Sequence, residues 1–147
     1  MIKSKLMDKP DLTALERLID ERNDKEQAKR IKLFAELYYD GAPAVELNQR
    51  NPEDLYGATV SCWLFIQQHN TEQPKVRVFN PDFEAHGWQS THTVIEVLAQ
   101  EMPFLIDSVR LELNRRQMSI HSINSCVAHV ERDAKYKAKK SCPLLEA

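Results

Sequence analysis

Residues 75–116 constrain the fold most: KVRVFNPDFEAHGWQSTHTVIEVLAQEMPFLIDSVRLELNRR. The first run, residues 75–79, alternates as a strand does, with Val76 and Val78 on one face. A second β-patterned run covers residues 91–98. There Thr93, Ile95 and Val97 face one way, and Val94 and Leu98 the other. Apolar residues on both faces belong to a strand central in its sheet. The connection over residues 80–90 carries Pro81, Gly87 and Trp88 and is too long for a tight hairpin turn. Connections of that length are either floppy or used. A helix over residues 103–116 completes the stretch. It places Leu105, Ile106, Val109 and Leu113 on one face and leaves Arg110, Asn114 and Arg115 to solvent.

The flanking chain is helical upstream and β-like downstream. After Pro10, with Asp11 as cap, Leu12, Leu15, Leu18, Ile19, Ile31, Phe34, Leu37 and Tyr38 recur at three- and four-residue steps. The polar stretch at residues 21–29 lies between them, so one long helix and two shorter ones both fit. Such an arm, half apolar and half charged, must pack on something, and Gly41 and Pro43 end it. A further helix starts at Asn51 and Pro52, helped by Glu53 and Asp54 at its positive end. Its stripe is wide: Leu55, Thr59, Cys62, Trp63 and Ile66, broadened by Tyr56, Val60 and Leu64. That width means burial on more than one side, with Trp63 and Tyr56 as core residues. Downstream, residues 119–130 read as a strand through Ile120, Ile123, Cys126, Val127 and Val130, with a bulge or cover on both faces to explain the broken period.

The order is helical arm, helix, strand, strand, helix, strand. This is most of a ferredoxin-like βαββαβ unit with one strand missing. The missing strand has three candidate sources: the tail, a partner chain, or sequence outside these 147 residues. The expected class is α+β, a ferredoxin-like antiparallel sheet with helices on one face, preceded by an N-terminal α-helical arm. The expected units are residues 1–50 (arm), 51–131 (α/β domain) and 132–147 (flexible tail or interrupted continuation).

Composition closes several routes. At 42% hydrophobic and 29% charged residues the chain can bury a core and stay in solution. No apolar run approaches the ~20 residues of a membrane span. The start, MIKSKLMDKPD, lacks the apolar core of a secretory signal, so a cytoplasmic protein is expected. A net charge of −2 attracts neither nucleic acid nor anionic membranes. The basic run Lys135, Lys137, Lys139 and Lys140 is offset by Glu131 and Asp133 and reads as a solvated loop. Phe79 alone among strand residues offers an exposed aromatic for RNA stacking. Cys62, Cys126 and Cys142 form no CxxC pair; the first two read as small core residues in a reducing compartment. His69, His86, His92, His121 and His129 are scattered singly, so no metal site is expected.

Catalytic patterns are equally sparse. A dinucleotide site uses glycines at a strand-to-helix turn, so that backbone reaches the pyrophosphate. Here Gly41, Gly57 and Gly87 lie far apart. Ser90 with His92, and Ser119 with His121, sit two apart on strands with no elbow to expose a nucleophile. Glu53 and Asp54 serve a helix start, and Asp20 and Glu21 face solvent. The best site lies at residues 99–107, AQEMPFLID. The helix there begins at Pro103 with no Ser, Thr, Asn or Asp immediately before it. Its first N–H groups, on Phe104, Leu105 and Ile106, lack a side-chain cap and suit an anion such as a carboxylate.

Several words in fixed order carry a family resemblance. They are VRVFNP (residues 76–81), GWQSTHTVIEV (87–97), MPFLIDSV (102–109) and LNRR (113–116), with a looser NPEDLYGA at 51–58. They resemble the N-terminal, ACT-like region of the large bacterial NAD-specific glutamate dehydrogenases. That family keeps its chemistry far downstream. The resemblance therefore implies a regulatory or architectural region, with no cofactor of its own and NAD in the parent enzyme. It implies other domains or subunits of the parent as partners, and a free amino acid as a further ligand. A free-standing amino-acid-binding sensor is the alternative, and homo-oligomerisation stays open. ACT domains carry an acidic-x-Pro-Gly-x-Leu turn where amino acids bind. Glu101, Pro103 and Ile106 match its acidic, proline and apolar positions, while Phe104 stands where those domains place glycine. The ligand-binding candidates are thus Glu101, Met102, Pro103, Phe104, Leu105, Ile106 and Asp107. Phe104 and the charge of Asp107 both oppose a bound carboxylate. The rival reading is a helix start that packs against another domain.

Overall fold

A computed structural model describes residues 9–139 together with residues 145 and 146. Expectations for the chain start, Lys140 and Cys142 lie outside the described residues. Helix α1 covers Thr13–Arg22 and α2 Lys25–Tyr39. The arm is therefore two helices. The break falls where the Asp24 carboxylate accepts the Gln27 N–H at 2.8 Å, capping α2. Asp11 accepts the Thr13 N–H and hydroxyl just ahead of α1. A short α3, Ala44–Asn48, follows, and then α4, Pro52–Ile66, capped by Asn51 with Pro52 in the first turn.

These helices share one core. Leu15 and Ile19 from α1 meet Ala28, Ile31, Phe34, Ala35 and Tyr39 from α2, and Leu55 and Trp63 from α4. Phe34 stacks on Tyr38 and tilts against Trp63. The one buried polar contact in this core is satisfied. Thr59 donates its hydroxyl hydrogen to the Leu55 carbonyl at 2.7 Å, so the Tyr39 hydroxyl at 2.9 Å donates to Thr59. Burial pushes the Tyr39 phenol up to about 12. Phe65 is buried as well, whereas Leu64 is exposed.

Strands β1 (Lys75–Phe79) and β2 (Val94–Leu98) form an antiparallel hairpin in the register Val76↔Val97, Arg77↔Glu96, Val78↔Ile95. The expected second strand starts three residues late. Ser90 accepts the His92 N–H in a turn, and Thr93 bonds Asn80 at 2.6 Å. The connection is used. It holds α5 (Phe83–His86), capped by Asp82 and closed by Gly87 at φ +76°. Trp88 is buried against α4, and Gln89 donates its N–H to Asp54. Gly57 makes this possible: an added Cβ would lie 2.5 Å from the Trp88 Cβ.

Helix α6 spans Leu105–Arg115, two residues later at its start than expected. Leu105, Val109 and Leu113 are half-buried, while Ile106 is exposed and leaves the stripe. The expected strand at 119–130 shrinks to β3, Ala128–His129, which pairs with β4, Leu145–Glu146. Residues 119–127 join neither of the two ladders. A side-chain bond, Asn124 Nδ2 to the Tyr38 carbonyl at 2.9 Å, ties them down instead. Cys126 is exposed, against the expectation of a core position. The class is α+β, with two separate two-stranded ladders among the described residues where one larger sheet was expected.

Candidate functional site

Residues 99–107 form an open turn into α6. Glu101, Met102, Pro103, Phe104, Ile106 and Asp107 are exposed, and only Leu105 is half-buried. Phe104 is the N-cap, with φ +63° and no side-chain hydrogen bond to the first turn. The first intrahelical bond runs from the Ser108 N–H to the Phe104 carbonyl at 2.8 Å. The first turn thus starts one residue past the sequence expectation, at Leu105, Ile106 and Asp107. Asp107 already sets a negative charge at this positive helix end. The ring of Phe104 is 76% exposed and stands in a left-handed conformation that glycine adopts at no steric cost. At the other end of α6, hydrogen bonds from Arg115 and then Arg116 pull the Glu112 carboxyl down to about 2.

A second cluster lies between α4 and the hairpin, and sequence patterning did not single it out. The inward face of the hairpin carries its charged residues, Lys75, Arg77 and Glu96, beside Phe79, Val94 and Leu98. Arg77 Nη2 donates to Glu96 Oε1 at 2.7 Å and to Ser61 Oγ at 2.8 Å. Its guanidinium lies 4.4 Å from the Phe79 ring centroid and 5.2 Å from that of Phe65. Lys75 Nζ donates to the Phe65 and Gln68 carbonyls. Burial, then Arg77, lowers its pKa. Cys62 sits beside this group, half-buried, with its thiol pushed up to about 12 by burial, then by Glu96. Such a thiol is a packing group and a poor nucleophile.

His92 and His121, read singly in the sequence, stack at 4.1 Å. This contact pins the segment after α6 beside the start of β2. No group of three or more metal-ligating side chains occurs among the described residues. No helix among them is long and apolar enough to cross a membrane. Gly57 lies inside α4 and Gly87 ends α5; neither sits at a strand-to-helix turn.

Comparison with known proteins fits this geometry to a family. The profile of the glutamate dehydrogenase ACT1 domain matches residues 34–145. An NAD-specific glutamate dehydrogenase of Halomonas elongata is 52% identical over 129 residues, 88% of this chain and 8% of the relative. Its counterpart in Pseudomonas aeruginosa is 49% identical over 114 residues, 78% of this chain and 7% of the relative. The chain thus spans less than a tenth of the length of these relatives. No solved structure matches it. With the profile covering most of its length, the chain belongs to the glutamate dehydrogenase ACT1-domain family, and its fold is the α+β, ACT-like class.

Proposed function

We propose that the chain is a non-catalytic architectural and regulatory region of an NAD-dependent glutamate dehydrogenase. The whole enzyme oxidatively deaminates glutamate to 2-oxoglutarate and ammonia with NAD, in the cytoplasm, at a site outside these residues. The region docks other domains or subunits of that enzyme. Residues 1–50 act as the arm, whose helices pack on α4 in a shared core, 51–131 as the docking domain and 132–147 as a tail or a continuation.

One observation carries this reading: α6 is amphipathic, yet none of its residues is buried. Met102, Phe104, Ile106 and Leu111 are all exposed around it. Exposed apolar side chains of this kind gain stability only when something covers them. Phe104, held outward in a left-handed conformation, is the natural anchor for a neighbouring domain. A second reading rests on the uncapped first turn of α6. Its free N–H groups suit the carboxylate of an amino acid, with Glu101 taking the ammonium.

Two assays of the purified chain decide between them. Glutamate with NAD should give no NADH, and thermal shifts should be flat across the amino acids at millimolar concentration. A shift of several degrees with one amino acid would favour sensing. NADH formation would overturn the non-catalytic reading.

A further inference from the structure

We propose that the outer face of the β1–β2 hairpin is an interior surface of the assembled dehydrogenase, covered by an uncharged aliphatic face from another segment of the same polypeptide. The inference rests on the reading that this chain is one region of a longer enzyme.

The hairpin is inverted relative to a solvent-facing ribbon, which turns its apolar side to the core and its polar side to water. Here Lys75, Arg77 and Glu96 point toward α4 and are held there by hydrogen bonds. Val76, Val78, Ile95 and Val97 point to water, exposed by 59, 60, 40 and 38%. They are cross-strand neighbours, Val76 with Val97 and Val78 with Ile95, so the four form one contiguous patch. Asn80 and Thr93, bonded to each other at one end of it, carry no charge. The sequence thus places its ionic groups on the closed side, beside Phe79, Val94 and Leu98, and leaves four aliphatic side chains on the open side.

Area decides the occupant. Four partly exposed aliphatic side chains offer on the order of 300 Å². A stable complex between separate molecules buries roughly 800 Å² on each partner. The patch falls well short for a second copy of this chain. A tethered segment needs far less, because attachment raises its effective concentration to the millimolar range. The matched relatives hold more than nine-tenths of their length outside the region shared with this chain, which is ample for such a segment. The uncharged face selects an aliphatic helix or sheet surface, because a buried unpaired charge would be penalised.

The test is cysteine accessibility at position 78, in the purified chain and in the full-length dehydrogenase. Val78→Cys is made in both, and maleimide labelling at that position is followed by peptide mass spectrometry. Fast labelling in the chain and labelling slower by at least about tenfold in the enzyme is the expected result. Equal rates would overturn the covered face. So would a stable dimer of the isolated chain that Val78→Lys abolishes, since a second copy would then be the occupant. NADH formation by the isolated chain tells against the non-catalytic reading instead. Equal labelling without that activity tells against the covered face alone.

Discussion

Replacing Gly57 with alanine pits two effects of known sign against each other. Gly57 lies inside α4, where alanine is favoured by about 0.8–1.0 kcal/mol on helix propensity. The added Cβ, however, would stand 2.5 Å from the Trp88 Cβ and 3.0 Å from the Gly87 carbonyl oxygen. Those atoms are not the loose end of a side chain, so the connection between β1 and β2 must move bodily. Overpacking of this kind costs about 1–3 kcal/mol. Partial loss of the buried Trp88 contact adds to it, since deleting a buried Trp side chain costs about 3–5 kcal/mol. The net expectation for Gly57→Ala is a loss of about 1–2 kcal/mol. A double-mutant cycle isolates the cause. In a Trp88→Gly background the 2.5 Å contact is gone and only the 3.0 Å approach to the Gly87 carbonyl oxygen remains, so Gly57→Ala should cost clearly less there than in the wild type. Urea unfolding followed by far-UV circular dichroism measures all four proteins. Gly57→Ala at or above wild-type stability, or an equal effect in both backgrounds, would refute the close approach of helix and loop.

Three further outcomes are expected. Cys62 has its thiol raised from an ordinary 9 to about 12 in the folded chain, so the unfolded state loses its proton first. Stability is full below pH ~9 and falls as pH rises toward ~12; Cys62→Ala should flatten the slope between pH ~9 and ~10, below the tyrosine range, and an unchanged slope would contradict the burial of this thiol. Phe104→Gly should raise the stability of the isolated chain by about 0.5–1 kcal/mol, because glycine accepts the left-handed N-cap that phenylalanine resists; a loss would mean that the ring packs within the chain. Arg77→Ala leaves the mostly buried Glu96 without its cation and should cost about 1–3 kcal/mol in urea unfolding, with the additional Glu96→Gln change recovering part of the loss; a neutral Arg77→Ala would show the inward ion pair to be idle.

Much of the architecture was legible because local signals coincided with tertiary ones. Asn51-Pro52 announced α4, and the alternation at Val76 and Val78 announced β1 within its observed bounds. The polar stretch around Asp24 hid its cap on the Gln27 N–H, so one long helix and two shorter ones fitted the sequence equally there. Residues 119–130 misled because β-branched composition reports a fit to a pleated surface, and among the described residues only Ala128 and His129 of this run find a partner strand. Alternation in the hairpin showed two faces without showing which one turns inward. That choice came from Phe65 and Ser61 on α4, which give Arg77 an aromatic bed and a hydroxyl. The stack of His92 on His121 depends on the path of the chain after α6, which no local pattern encodes. At residues 99–107 the lack of a cap was readable from residue types, but the outward, left-handed Phe104 was not.

The most direct measurement is a calorimetric titration of the purified chain with NAD. The glycines that phosphate binding would need are committed elsewhere: Gly57 inside α4 beneath Trp88, and Gly87 at the end of α5. No heat of binding at millimolar cofactor is the expected result. Saturable, tight binding of NAD would contradict a region that serves catalysis carried out elsewhere in the enzyme.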